Sequence, residues 1–202
     1  KENDLLLDAF IEKENTVFLT TNTGYGLSFA TSEIPVVGVK ASGVKAMTLK
    51  DDYLVSANNF DYKKTEYISI ITDRGSGKRV RLTEFPISSR TRRGLLLLRE
   101  VKTNPYQVLK TFIIDNKDHI GIKNGEINTI KITELPISDR YSTGKELTKH
   151  NLSDAFIIAT LEEKKSEEDD DQQEDVEPIP KKEQLDLRKI DDRLMTIDDF
   201  LN

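Results

Sequence analysis

One punctuation pattern occurs three times in this chain at intervals of about fifty residues, and it restricts the available folds more than any other feature. Ser32-Glu33-Ile34-Pro35-Val36 returns as Thr83-Glu84-Phe85-Pro86-Ile87 and as Thr133-Glu134-Leu135-Pro136-Ile137, with the prolines 51 and 50 residues apart. Eleven residues before each proline stands a glycine (Gly24, Gly75, Gly125), and eight residues after it another (Gly43, Gly94, Gly144). Three anchors held in register mark a repeat architecture, in which each repeat is one supersecondary unit that buries its apolar face on its neighbours.

Each repeat reads as strands joined by tight turns. Thr16 to Thr21, Tyr67 to Thr72 and His119 to Lys123 are β-branched or apolar runs, each broken by a turn with glycine. A second strand follows at Gly26 to Ala30, Lys78 to Leu82 and Ile127 to Ile132. Alternation in Arg79-Val80-Arg81-Leu82 puts basic side chains on one face and apolar ones on the other. The proline ends this strand, because it has no N–H to give to a ladder. After the later glycine come Val44 to Leu49, Leu95 to Leu98 and a weaker Glu146-Leu147; Tyr53 to Val55, Val108 to Ile114 and Phe156 to Thr160 close the units. Leu5-Leu6-Leu7 looks like the same closing run, inherited from a repeat that is missing here. The expectation is an all-β chain of four-stranded blades, with repeats at roughly 4–52, 53–104 and 105–160.

Composition separates the tail from the rest. The net charge of −6 divides into −9 for residues 161–202, with sixteen acidic and seven basic side chains, and +3 for residues 1–160. Residues 162–178 are too acidic and too poor in apolar groups to offset ordering entropy, so disorder is expected there. Leu187, Ile190, Leu194, Ile197 and Leu201 are spaced for a short amphipathic helix over 187–201. The absence of cysteine rules out disulfides and thiolate metal sites. No apolar run reaches the ~18 residues of a membrane span, and the chain opens on a strand-like segment rather than methionine, as a piece of a longer protein would.

Enzymatic chemistry finds little support. His119 and His150 have no ligand spacing between them, and Gly75-Ser76-Gly77-Lys78-Arg79 falls between two strands with no helix to follow, so it reads as a hairpin turn rather than a phosphate loop. The six tyrosines read as strand and turn residues. Basic side chains, by contrast, recur by position. Lys40, then Arg90 with Arg92 and Arg93, then Arg140 follow the prolines; Lys45, Arg99 and Lys145 follow the later glycines; the middle repeat adds Arg74, Lys78, Arg79 and Arg81. Corresponding loops of stacked repeats would align these charges as a stripe, which suits duplex backbone contact better than single-strand stacking. Charge alone leaves open an ordinary solvated surface, or a stripe that meets an acidic protein.

Thr23-Gly24-Tyr25-Gly26, Ser32 to Val37, Ala41 to Met47 and Asp51 to Val55, with the second copy Glu84-Phe85-Pro86 and Arg92-Arg93-Gly94-Leu95-Leu96-Leu97-Leu98, resemble blades of the C-terminal domain of bacterial type IIA topoisomerases. The likeness is greatest to the A subunit of topoisomerase IV of Gram-positive type, with the gyrase A subunit next, and it runs through residues 1–160. It implies a β-pinwheel, a propeller-like disc of four-stranded blades, of which about three repeats are present, followed by the acidic tail. It also implies a non-catalytic module that binds and bends duplex DNA, presenting it for decatenation and relaxation. Lys40, Lys45, Arg74, Lys78, Arg79, Arg81, Arg90, Arg92, Arg93, Arg140 and Lys145 are then its phosphate contacts. The resemblance assigns ATP, magnesium and cleavage chemistry to other domains. The partners it implies are the rest of a dimeric A subunit, with the ATPase B subunit, in an A2B2 heterotetramer. Their expected location is the cytoplasm, on the nucleoid, with peripheral membrane association permitted. Gyrase A subunits carry a Gln-Arg-Arg-Gly-Gly-Lys-Gly box that nothing here matches, Arg92-Arg93-Gly94 being a partial echo. An upstream truncation would remove such a box, so gyrase stays open on this ground. The acidic tail, beside basic loops, is either a solubilising segment or a competitor for DNA that folds back on them.

Overall fold

The computed structural model describes residues 5–11, 14–99, 101–113 and 116–158. Among them the chain forms strands β1 (Thr16–Thr21), β2 (Tyr25–Ala30), β3 (Leu54–Phe60), β4 (Tyr67–Thr72), β5 (Ser76–Arg81), β6 (Leu95–Leu96), β7 (Val108–Phe112), β8 (His119–Lys123), β9 (Ile127–Lys131), β10 (Lys145–Glu146) and β11 (Asp154–Ile158). The tail from 161 onward, including the helix expected over 187–201, lies outside the described residues.

The blade and the sequence repeat are out of phase. The first sheet has the order β3-β1-β2-β6, the second β10-β5-β4-β7 and the third β11-β8-β9. All pairings between these strands are antiparallel. Each four-stranded blade therefore takes its central hairpin from one repeat and both outer strands from the next. Tyr25 pairs with Leu96 and Gly26 with Leu95; one repeat later, Gly77 pairs with Lys145 and Ser76 with Glu146.

This exchange corrects the expected strand at Val44 to Leu49, which is irregular. Its counterparts become strands only by pairing with the second hairpin strand of the preceding blade, and no such edge meets 44–49 among the described residues. Leu5-Leu6-Leu7 forms no strand either, and Leu5 and Leu6 are 93% and 86% exposed. The second hairpin strands also end sooner than their prolines require. A single 3-10 turn (Thr31–Glu33, Leu82–Glu84, Ile132–Glu134) sits between strand and proline in all three copies.

Side-chain alternation then builds the core between blades. Phe18, Phe60, Ile68, Ile70, Val80, Leu82, Phe85, Leu97, Leu98 and Val108 fill the seam between the first and second blades. Ile71, Phe112, Ile120, Ile122, Ile132, Leu135, Leu152 and Ala155 fill the seam between the second and third. Val17, Leu19, Leu27, Phe29 and Met47 cover the other face of the first blade. In the second and third copies the apolar residue before the proline is a seam plug, whereas Ile34 in the first is 41% exposed. Phe85 packs edge-on against Phe18 with ring centroids 5.2 Å apart, and Leu135 is fully buried in the next seam. Burial of side chains this size contributes about 1.5–3 kcal/mol each.

The later glycine is a close-approach residue. A Cβ at Gly94 would lie 2.3 Å from the Gly26 carbonyl oxygen, and one at Gly144 would lie 2.7 Å from that of Gly77. Both also have positive φ (88° and 84°), a conformation that side chains disfavour. The incoming strand reaches the previous blade only because nothing stands on its Cα there.

Candidate nucleic-acid interface

The 3-10 turn and the loop after the next proline meet across each seam, and this meeting presents the basic residues. Ser88 N–H donates to the Ser28 carbonyl at 2.8 Å, and Ser138 N–H donates to the Arg79 carbonyl at 2.9 Å. Two residues further on, Arg90 N–H donates to Glu33 Oε2 at 2.8 Å and Arg140 N–H to Glu84 Oε2 at 3.1 Å. Arg90 and Arg140 thus occupy equivalent places on successive seams, each with its backbone tied to the preceding repeat.

The expected phosphate contacts divide into two groups. Lys40, Lys45, Arg81, Arg92 and Lys145 are exposed. The others are engaged by the protein. Arg93 donates to both oxygens of Asp52, Nη2 lying 3.1 Å from Oδ2 and Nη1 3.3 Å from Oδ1, while its guanidinium lies 4.0 Å from the Tyr25 ring centre. Arg74 donates to the Asn104 carbonyl at 3.0 Å and stacks 4.2 Å from Tyr106. Arg79 donates from Nε to the Leu135 carbonyl and from Nη1 to Asn116 Oδ1, both at 3.0 Å. Arg90 donates to the Lys45 carbonyl. Arg140 lies over the neighbouring Tyr141 ring at 4.6 Å and donates to its hydroxyl at 2.7 Å. An arginine held over an aromatic face loses less freedom on meeting a phosphate than a free one.

Lys78 is the exception and is corrected here. It is fully buried, and its ammonium donates to the carbonyls of Asp139 at 2.8 Å and Ser142 at 2.7 Å. Burial pushes its pKa down to about 8, against the attraction of Asp139 and Glu84. No phosphate can reach it. The exposed places in the alternation of β5 fall to Arg81 and, in part, Arg79, so a basic residue one position earlier points inward.

Two contributors escaped the sequence reading. Tyrosines 25, 106 and 141 support arginines, in two cases across 68 and 32 residues of sequence, a relationship visible only once the blades stack. Asp52 is the second. Burial alone would raise its pKa, but bonds from Lys50 N–H, Thr23 Oγ1 and Arg93 hold its carboxyl below the usual carboxylate range. Arg99, not among the expected contacts, is exposed beside Tyr25, Arg93 and Tyr106 on the wall of a cleft of about 300 Å³.

The sequence model for the DNA gyrase C-terminal domain, described as a beta-propeller, matches residues 15–60 and 66–105. The A subunit of DNA topoisomerase 4 from Bacillus subtilis (strain 168) is 37% identical over 148 residues, covering 71% of this chain and 18% of that protein. The chain belongs to the family of C-terminal domains found in the A subunits of gyrase and topoisomerase IV. The same protein from Streptococcus pneumoniae is 32% identical over 168 residues, covering 75% of this chain and 20% of that one. A crystal structure of the C-terminal domain of DNA topoisomerase IV superposes with a TM-score of 0.68 at 37% identity, covering 72% of this chain and 47% of that one. A DNA gyrase A C-terminal domain superposes with a TM-score of 0.63 at 17% identity, covering 73% of this chain and 52% of that one, which shows a shared fold. The chain spans about a fifth of the length of the curated relatives it matches. The family match takes in the hairpins of the first two blades, the Glu33 and Glu84 turns and the Arg90 to Arg93 loop, and ends before the loop that carries Arg140.

Proposed function

We propose that this domain is the non-catalytic DNA-holding module of a topoisomerase IV A subunit, engaging duplex DNA through its backbone and bending it for strand passage. The repetition of Arg90 and Arg140 at equivalent seam positions carries this reading, because cations at a fixed structural period suit a backbone of fixed charge period. Exposed Lys45, Arg81, Arg92 and Lys145 extend the surface. Supporting arginines in place of base-reading side chains suits recognition of shape rather than sequence. In the whole protein, ATP hydrolysis, magnesium and DNA cleavage belong to other domains. The partners are the remaining parts of the dimeric A subunit, together with the B subunit, and the site of action is the nucleoid.

Titration of a fluorescent duplex of a few tens of base pairs with residues 1–202, across a salt series, tests this. Binding whose logarithm falls linearly with that of salt supports it. Absence of binding at low salt overturns it in favour of a surface that meets an acidic protein.

A further inference from the structure

We propose that Lys78 is a positioning residue: from inside the second blade it pegs the third-repeat loop that carries Arg140 and Tyr141, and so fixes where that arginine is presented. The presentation of Arg140 to DNA rests on the function proposed above; the peg itself does not.

The comparison of the two seams leads to this assignment. In the first, the loop 89–93 is braced by the first repeat's segment 45–48. Thr91 N–H donates to the Ala46 carbonyl at 2.7 Å, Thr48 N–H to the Arg92 carbonyl at 3.0 Å and Thr48 Oγ1 to the Thr91 carbonyl at 2.6 Å, while Arg90 reaches the Lys45 carbonyl. In the second seam, among the described residues, the corresponding brace from 96–99 is one long bond, Arg99 N–H to the Ser142 carbonyl at 3.5 Å. The loop 139–143 has lost most of its support from that side.

Lys78 supplies it from the other. Lys78 and Leu27 hold the same register, each three residues past its hairpin glycine. Leu27 packs on the other face of the first blade, and beside the corresponding loop an opening of about 260 Å³ remains, lined by Leu27, Ser28, Pro86, Ser88 and Arg92. The second seam has the Lys78 side chain, whose ammonium bonds the two carbonyls that bracket Arg140 and Tyr141. The charged groups that act on it are Asp139 and Glu84. Both also hold the loop by other bonds: Glu84 accepts Arg140 N–H, and Asp139 Oδ1 accepts Tyr141 N–H at 2.8 Å. A fully buried ammonium is costly unless its donors are satisfied, so one spent on two loop carbonyls ties the loop to the blade.

The test is Lys78→Leu, which copies the residue at the same register in the first blade, with Lys78→Met as a second variant. Amide hydrogen exchange is read at Arg140, Tyr141 and Ser142, with Ser88, Arg90 and Thr91 of the first seam as internal reference. The expected result is exchange ~10-fold or more faster in the second seam and unchanged in the first. Duplex affinity should fall by about the same factor for Lys78→Leu, Arg140→Ala and the double variant, since a residue acting through another adds nothing once that one is gone. Wild-type protection in folded variants overturns the proposal. Lost protection with unchanged affinity upholds the peg and instead removes Arg140 from the DNA contacts. In the unaltered chain, the Lys78 ammonium protons should exchange slowly in nitrogen-15 NMR; rapid exchange also overturns the proposal.

Discussion

The carboxylate of Glu33 accepts the backbone N–H of Arg90 at 2.8 Å, and fifty-one residues later Glu84 does the same for Arg140 at 3.1 Å. The glutamate of the recurring Glu-x-Pro motif is therefore an inter-blade fastener, set by the 3-10 turn so that it faces the next repeat's loop. Removing it leaves an amide at the seam without its charged acceptor. Glu84→Ala should lower unfolding free energy by about 1.5–3 kcal/mol, and the more exposed Glu33→Ala by less. Glu84→Gln keeps an acceptor and should recover most of the loss. Urea unfolding monitored by tyrosine fluorescence checks all three.

Gly94→Ala and Gly144→Ala should each cost about 3 kcal/mol or more, because the new methyl meets a carbonyl of the preceding blade as well as a positive φ. Gly43 has a similar φ of 78° but open space around it, so Gly43→Ala should cost about 1 kcal/mol. Thermal melts of the three variants separate strand seating from backbone strain.

Asp52 and Arg93 form a half-buried pair, the Asp52 side chain covered and that of Arg93 23% exposed. Asp52→Ala should destabilise by about 1–3 kcal/mol, since Arg93, Thr23 and the Lys50 amide lose their charged acceptor. The folded Asp52 carboxyl titrates below its unfolded value of 3.8, so its contribution is present above that pH and is lost as pH falls through the lowered folded pKa. Acid unfolding of Asp52→Asn should lack this component.

Lys78 has the opposite sign. Its folded pKa of about 8 lies below its unfolded value of 10.5, so between these values the unfolded chain holds a proton that the folded chain has released. Its burial cost is present below pH 8 and relieved above it, so stability rises with pH across that window by at most about 1.4 kcal/mol per pH unit. Urea titrations at pH 7 and 9 on wild type and Lys78→Met isolate this rise, which the variant should lack.

Arg92 and Arg93 are neighbours with different work. Arg92→Ala, an exposed change, should weaken duplex binding while leaving stability within about 0.5 kcal/mol, and should reduce the salt slope by about 0.9. Arg93→Ala should lower stability through Asp52 and Tyr25. A joint Arg92/Arg93 alanine variant mixes the two effects, so paired melts and binding titrations on the single variants are the useful measurement.

The hairpins were legible because local chemistry dictates them. The bounds of β1, β4 and β8 follow from β-branched runs that stop at a glycine turn, and nothing distant is needed to place them. The outer strands were not, because a two-residue strand such as Lys145–Glu146 exists only by pairing with Ser76 and Gly77, nearly seventy residues upstream. The same limit governs the site. A positional rule found Arg90 and Arg140, which are equivalent in space. It also admitted Lys78, since alternation tells which residues share a face but not which face meets a neighbour with carbonyls to offer. The Arg93–Tyr25 and Arg74–Tyr106 supports left no trace in spacing, because they join different repeats.

The half-step offset between sequence repeat and blade has a bearing on how such chains change length. Deleting one period from a point just before a long outer strand, residues 53–103 for example, removes the hairpin of one blade together with both outer strands of its predecessor. The predecessor then receives the equivalent strands of the following repeat, so that Lys145–Glu146 would seat on Tyr25 and Gly26 in place of Leu95–Leu96. No internal edge is left bare by the deletion, and duplication works the same way in reverse. A chain built like this gains or loses arc by whole periods while keeping every interior joint closed, so its reach around a bound partner can be altered without a new interface having to be invented.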